Sequence, residues 1–269
     1  MARFSRIRSY LGDKGFARLQ QASVTIVGLG AVGGYCCEAL ARAGIGTLRL
    51  VDFDIIQPSN INRQILALET TLGRPKVQVA AERVLAINPE CRVEPLQLFA
   101  DEATLATIFS PAPTILVDAI DSLGPKVQLL TEAHRRGIPV ISSMGAALRS
   151  DPGQIRIGDL MESKNCPLAR RMRQRLRKNG IERGIRCVYS TEEIDFAYQG
   201  PVHPEPDAPC HDRGRPRNTL GSLPTLTGIF GLMIANEVIL TLARDPQTAQ
   251  PKSEGRQIIS RETDPAKST

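Results

Sequence analysis

The sequence predicts an α/β fold: a doubly wound, mostly parallel sheet that continues into antiparallel strands, with an N-terminal helical arm. Three observations carry this prediction. A β-branched run, Val24 to Val27, stops at the glycines Gly28, Gly30, Gly33 and Gly34, and small and apolar residues then recur at helical spacing. A second apolar run, Thr47 to Val51, ends on Asp52, nineteen residues beyond Gly33. From there strand-like and helix-like segments alternate as far as Ser143, the pattern of a parallel sheet covered by helices.

Each element has a local reason. The opening RFSRIRSYLGDKGFARLQQ mixes basic and apolar residues at helical spacing and predicts a helix packed on the sheet edge. The strand, glycine turn and helix that follow make a Rossmann-like unit. Gly28 and Gly30 let the backbone turn sharply near a ligand, Gly33 allows close packing of helix on strand, and the helix start offers amides and positive dipole to a phosphate. Asp52 stands where such folds place a ribose-binding acid. The unit therefore predicts a bound nucleotide or dinucleotide.

The next residues narrow the choice. Asp54, Asn60, Asn62, Arg63 and Gln64 follow the second strand directly, and Lys76 comes soon after. A nicotinamide enzyme, which the glycine turn alone permits, has no use for an arginine and a lysine at this place. Both suit a triphosphate whose charge is stabilised during transfer. Pro75 opens a helix with Val77, Ala80, Ala81, Val84 and Leu85 on one face, ended by Asn88 and Pro89. Lys76 at its start is either a solvated surface lysine or a cation answered by an anion, because the positive end of a helix disfavours it otherwise.

Strand three is expected over Arg92 to Phe99 and strand four over Thr114 to Val117, delivering Asp118, Ala119, Ile120, Asp121 and Ser122 to the carboxyl edge of the sheet. Aspartates there serve as turn residues and helix caps, or as hard oxygen ligands for a magnesium ion that ATP chemistry needs. A helix from Lys126 to Arg136 closes at Gly137, and strand five runs Pro139 to Ser143. Ile155 and Ile157 after DPG mark the turn to antiparallel strands, away from the doubly wound half.

The motifs GLGAVG, LVDFD, SNINRQ, GRPKV and DAIDS stand here in order. They resemble the adenylating family of ubiquitin-activating enzymes and the activators of the molybdopterin and thiamine sulfur carriers. RFSRIRSYLG, INPECRV, DPGQI, CPLARRMRQRLRK and RCVYSTE extend the resemblance, from Arg3 to about Leu242, to the branch of threonylcarbamoyladenosine dehydratases that act on tRNA. That resemblance implies ATP and Mg2+ as cofactors, with Asp121 facing the metal, Lys76 touching a phosphate, and Arg6 reaching across a homodimer into the partner's ATP site. It implies cyclisation of threonylcarbamoyladenosine next to the anticodon through an acyl-adenylate of the threonyl carboxylate. The alternative within the family is adenylation of the C-terminal glycine of a small sulfur-carrier or ubiquitin-like protein, with a cysteine desulfurase or sulfur acceptor as partner.

Two further features bear on that choice. From Met161 to Ser190 nine Lys or Arg stand against two Glu, a local +7 in a chain of net charge +6. Arg170, Arg171, Arg173, Arg175, Arg177 and Lys178 fall on an expected helix without interleaved acids. A solvated face is the common reading of such a run; a tRNA backbone is the functional one. Cys187, beside Arg186, is either a half-buried strand cysteine or a nucleophile for a thioester or persulfide. The chain has no C-x-x-C pair, so the zinc site common among sulfur-carrier activators is not expected.

Domain organisation and compartment complete the reading. Residues 1–243 are expected to form one adenylation domain. The stretch 192–218, with Pro201, Pro204, Pro206, Pro209 and Pro216, reads as a mobile loop crossing the site, and 244–269 reads as a disordered tail. Six cysteines without regular spacing, and no secretory leader before the first strand, predict reduced thiols in the cytoplasm. Leu223 to Leu242 is apolar, but Pro224, Asn236 and Glu237 argue for a core or dimer helix over a membrane span.

Overall fold

The computed structural model describes residues 2–194 and 220–244. Among the described residues seven strands form one sheet in the order β3-β2-β1-β4-β5-β7-β6. They are β1 (Ser23–Val27), β2 (Thr47–Val51), β3 (Arg92–Leu96), β4 (Ile115–Asp118), β5 (Val140–Ser143), β6 (Ile155–Asp159) and β7 (Arg186–Ser190). The helices are α1 (Ser5–Gln21), α2 (Gly33–Ala43), α3 (Lys76–Ile87), α4 (Leu105–Ile108), α5 (Leu123–Arg135), α6 (Pro167–Lys178) and α7 (Pro224–Ala243).

The predicted architecture is present: after β5 the chain turns, as expected from Ile155 and Ile157, to the antiparallel strand β6 at the sheet edge, and β7 then adds in parallel to β5. Pro95 lies in β3, the opposite edge, where a strand can lack one ladder donor. The central strands β1, β2 and β4 are buried almost throughout, as expected of a sheet covered on both faces. One apolar layer joins Leu40 of α2, Ala80 of α3 and Phe230 of α7 to Ile26 and Val117. The other joins Leu129 of α5 and Met172 of α6 to Leu116 and Cys187.

Local boundaries follow from backbone chemistry. Gly44 closes α2 in the left-handed region, its amide donating to Leu40 and Ala41 carbonyls. α1 breaks at Gly12 (φ 70°), so the arm is two helical pieces. Pro75 precedes α3 in extended conformation, which leaves Lys76 as the first helical residue. Asp118 belongs to β4, and α5 starts at Leu123, which places Lys126 inside its first turn and a half.

α7 is long and apolar enough to cross a membrane by composition alone, with a mean hydropathy of 1.8. In this fold it is a core helix. It packs on α2, where a side chain at Gly231 would sit 2.3 Å from the Val32 carbonyl oxygen. Its one acid, Glu237, pairs with Arg186 of β7 at 2.5 Å. The proline-rich stretch and the tail lie outside the described residues, apart from residues 192–194 and Arg244.

Candidate active site

The order of the sheet sets the place of the site. Chain order reverses between β1 and β4, and ligands of such sheets bind in the crevice outside the carboxyl ends of the strands at that point. β1 delivers the glycine turn there and β4 delivers Asp118 to Asp121.

Close approach explains the glycines. Gly28 has φ 92°, and a Cβ on it would lie 2.7 Å from the Ala119 carbonyl oxygen. A Cβ on Gly33 would lie 1.8 Å from the Gly28 oxygen. Gly30 faces the crevice with only Gln64 Nε2, at 3.9 Å, near its missing Cβ. α2 starts without a side-chain cap; the Gly34 amide donates to the Gly30 carbonyl at 3.0 Å, and the positive end of the helix faces the turn. This cradle fits a nucleotide phosphate.

Asp52 shapes the turn from below. Its Oδ2 accepts from the Leu29 amide at 2.6 Å and its Oδ1 from the Asp54 amide at 2.9 Å. Burial pushes its carboxyl above the ordinary range, and Lys76 opposes that push. Each carboxylate oxygen keeps a second lone pair for a ribose hydroxyl.

Lys76 shows what the sequence could not. It is buried, and the anion that answers it within the chain is Asp54, whose Oδ2 lies 2.9 Å from Nζ. Asp54 and Lys76 are tied again by the backbone, Lys76 N–H to Asp54 O at 3.0 Å. The pair sits beside Asp52 and so beside the glycine turn.

The 57–64 segment meets the glycine turn at Gln64, whose Nε2 lies 3.9 Å from where a Gly30 Cβ would stand. Asn60 is buried and turns the chain: its Oδ1 accepts from the Gln57 amide at 3.1 Å. Arg63 donates to the Ser59 carbonyl at 3.0 Å and to Asn62 Oδ1 at 2.9 Å, which holds its guanidinium at the surface of the segment. Gln64 is buried, and its Oε1 has no protein partner. Asp121 is exposed at the β4 exit. Among the described residues no group of three or more His, Cys, Asp or Glu could hold a metal. Mg2+ needs no such cage, since it takes one or two carboxylates with phosphate oxygens and water.

The remaining predicted site residues stand on other elements: Arg6 on α1, the cation row on α6 and Cys187 on β7. Arg6 is exposed on α1, where it lines an open groove of about 580 Å³ with Ser5, Ser9 and Tyr10. α6 packs on α5 through Ala169, Met172 and Leu176, which turns Arg170, Arg171, Arg175, Arg177 and Lys178 outward. Arg173 differs: it is half-buried and donates to the Ser163 carbonyl at 2.8 Å, so it fixes the helix rather than adding to the exposed face.

Cys187 requires a correction as a nucleophile. Its side chain is fully buried in the layer under α5 and α6, and burial pushes its thiol up to about 12. A protonated core thiol neither attacks a substrate nor holds one. We expect iodoacetamide at pH 8 to leave Cys187 unlabelled in the folded protein. Peptide mapping that finds it alkylated as fast as after unfolding would refute this. Cys37, at about 12, and Cys91, at about 11, are raised for the same reason. The unfolded thiols ionise near 9 and the folded ones do not, so stability is complete below about pH 9 and falls as pH rises towards 12.

Fold and site together define a doubly wound α/β protein of the nucleotide-binding class, with the buried Lys76–Asp54 pair and Asp52 beside its glycine turn. The chain belongs to the ThiF family, whose model matches residues 4–263. It is 34% identical over 252 residues to the tRNA threonylcarbamoyladenosine dehydratase of Bacillus subtilis, covering 93% of this chain and 98% of that one. It is 38% identical over 201 residues to the enzyme of the same name from Escherichia coli, covering 72% and 75%. The crystal structure of the E. coli tRNA N6-threonylcarbamoyladenosine dehydratase in complex with ATP superposes with a TM-score of 0.79 at 33% identity, covering 90% of this chain and 93% of that one.

Proposed function

We propose that this protein cyclises threonylcarbamoyladenosine in tRNA, next to the anticodon, at the expense of ATP. The observation that carries the reading is the Lys76–Asp54 pair set beside a glycine cradle at the β1/β4 crevice, in a chain similar along nearly its whole length to tRNA threonylcarbamoyladenosine dehydratases.

The chemistry follows from the charges. The threonyl carboxylate of the modified nucleoside attacks the α-phosphorus of ATP, the bond to the β-phosphate oxygen breaks, and pyrophosphate leaves. Lys76 and Arg63 stabilise the charge that gathers on the phosphates. The amides at the start of α2 hold the phosphate chain, and Asp52, Asp54, Asn60, Asn62 and Gln64 hold the nucleoside side of the pocket. Asp121 would hold Mg2+ together with phosphate oxygens, and the ion would neutralise triphosphate charge. The carbamoyl group then attacks the acyl carbon and expels AMP. Ring closure is intramolecular, so no second substrate needs to be captured. Water is lost overall.

The same reading makes residues 1–243 one adenylation domain, working in the cytoplasm as a homodimer. On this reading Arg6, exposed on the arm beside Ser9 and Tyr10, reaches into the partner's pocket. The exposed row on α6 is the surface for tRNA phosphates. Arg170→Glu/Arg171→Glu/Arg175→Glu is expected to weaken tRNA binding about tenfold or more and to reduce the salt slope by about 1 per arginine, with ATP binding unchanged. An unchanged salt slope in filter binding would remove α6 from the interface.

The deciding experiment measures pyrophosphate release from ATP with tRNA carrying threonylcarbamoyladenosine, with the same tRNA lacking it, and with a sulfur-carrier protein. Release with the first alone, accompanied by the mass loss of one water from the nucleoside, supports the reading. Release with the carrier protein alone overturns it.

A further inference from the structure

Asp118, Ser142 and Lys126 form a polar cluster sealed inside the fold at the root of the β4 exit. Neither charged side chain has exposed surface, and Lys126 Nζ lies 2.7 Å from Asp118 Oδ2. Ser142 Oγ donates to that same oxygen at 2.6 Å. Lys126 also donates to the Ile120 carbonyl at 2.9 Å, while the Ile120 amide donates to Asp118 Oδ1 at 3.1 Å. The amide and the carbonyl of Ile120 are thus both held by one ion pair.

An ion pair taken wholly out of water is a weak source of stability, because desolvation of both charges offsets their attraction. Its location suggests another use. Asp118 stands in register with Val27 on one side and Ser142 on the other, and Ser142 with Cys187, so the cluster crosses the sheet beside the chain reversal. The Ala119 amide donates to the Val27 carbonyl at 2.8 Å, and the Ala119 carbonyl lies against Gly28 with no room for a Cβ. Asp121 is the next residue after the doubly anchored Ile120.

We propose that Lys126 is a positioning residue: by clamping Asp118 and the Ile120 carbonyl it holds the Ala119–Asp121 turn against Gly28 and fixes where the Asp121 carboxylate stands over the crevice. The inference rests on the reading of that crevice as an ATP site. Partners that orient a metal-facing carboxylate commonly change affinity or activity by about 10- to 100-fold when removed.

Lys126→Met alone leaves the Asp118 charge in a dry core and is expected to fold poorly. Asp118→Asn/Lys126→Met removes both charges and keeps a partner for Ser142 and for the Ile120 amide. In this double variant we expect cooperative unfolding near the parental temperature, faster amide exchange confined to Ala119–Ser122, and about a tenfold rise in both the ATP Kd and the Mg2+ concentration at half effect. A folded double variant with parental exchange and parental ATP binding overturns the proposal. If the double variant does not fold, Ser142→Ala reads the same turn, and unchanged exchange and ATP binding in it overturn the proposal equally. Exchange and ATP binding are measured without tRNA. A parent protein that binds ATP yet releases no pyrophosphate with modified tRNA therefore refutes the substrate, and leaves Lys126 to be judged on exchange.

Discussion

Gly33→Ala is expected to destroy nucleotide binding and to lower the unfolding temperature, whereas Gly30→Ala is expected to fold like the parent and lose only part of its ATP affinity. The difference is steric. A methyl group on Gly33 would lie 1.8 Å from the Gly28 oxygen and 3.3 Å from Ala119 Cβ, so either α2 moves off β1 or the turn opens. A methyl group on Gly30 meets nothing closer than 3.9 Å and intrudes only on space that a phosphate would use. Overpacking of this kind costs about 3 kcal/mol or more, which in a domain of this size lowers the midpoint by about 6–12 °C. Calorimetry with ATP titration separates the two variants. If Gly33→Ala melts with the parent and binds ATP normally, the cradle is not the phosphate site.

The second large effect concerns Lys76. Lys76→Met is expected to slow pyrophosphate release by about 10²- to 10³-fold, the usual loss when one preorganised charge is removed from the reacting centre. Part of that loss comes from Asp54. In the parent its carboxylate is balanced by Nζ at 2.9 Å; without the lysine it adds negative charge beside the triphosphate. Asp54→Asn/Lys76→Met removes that repulsion and should recover a share of ATP affinity without recovering turnover. Single-turnover assays at saturating ATP distinguish the two contributions. Turnover of Lys76→Met within about threefold of the parent would place the cation outside the transition state.

Both expectations start from features legible in the chain before any fold was known, and the reason is local. The glycine spacing, the acid at the end of β2 and the alternation of strand and helix are relations over a few residues to a few tens of residues, and backbone sterics and burial patterns act over that range. The same local reasoning brought Asp118 and Asp121 together to the carboxyl edge of the sheet, while the choice of Asp121 as the metal-facing one came from the family resemblance. Local reasoning also identified the outward cations of α6, whose apolar residues Ala169, Met172 and Leu176 leave no other face to bury.

What the sequence by itself determined, then, is the class of fold, the position of the glycine turn and the kinds of side chain around it. The tertiary structure decided their partners. Lys76 was known to need an anion, and the Ile55–Pro75 bridge brought Asp54 to it from 22 residues away. Cys187 sat beside an arginine and read as activatable, until β7 docked on β5 and sealed its thiol under α5 and α6. Lys126 gave no signal at all, since a lysine in a helix is ordinarily a surface residue. Its burial depends on β4 and β5 lying side by side, and contact between strands separated in the chain is set by the order of the whole sheet, which no local spacing records.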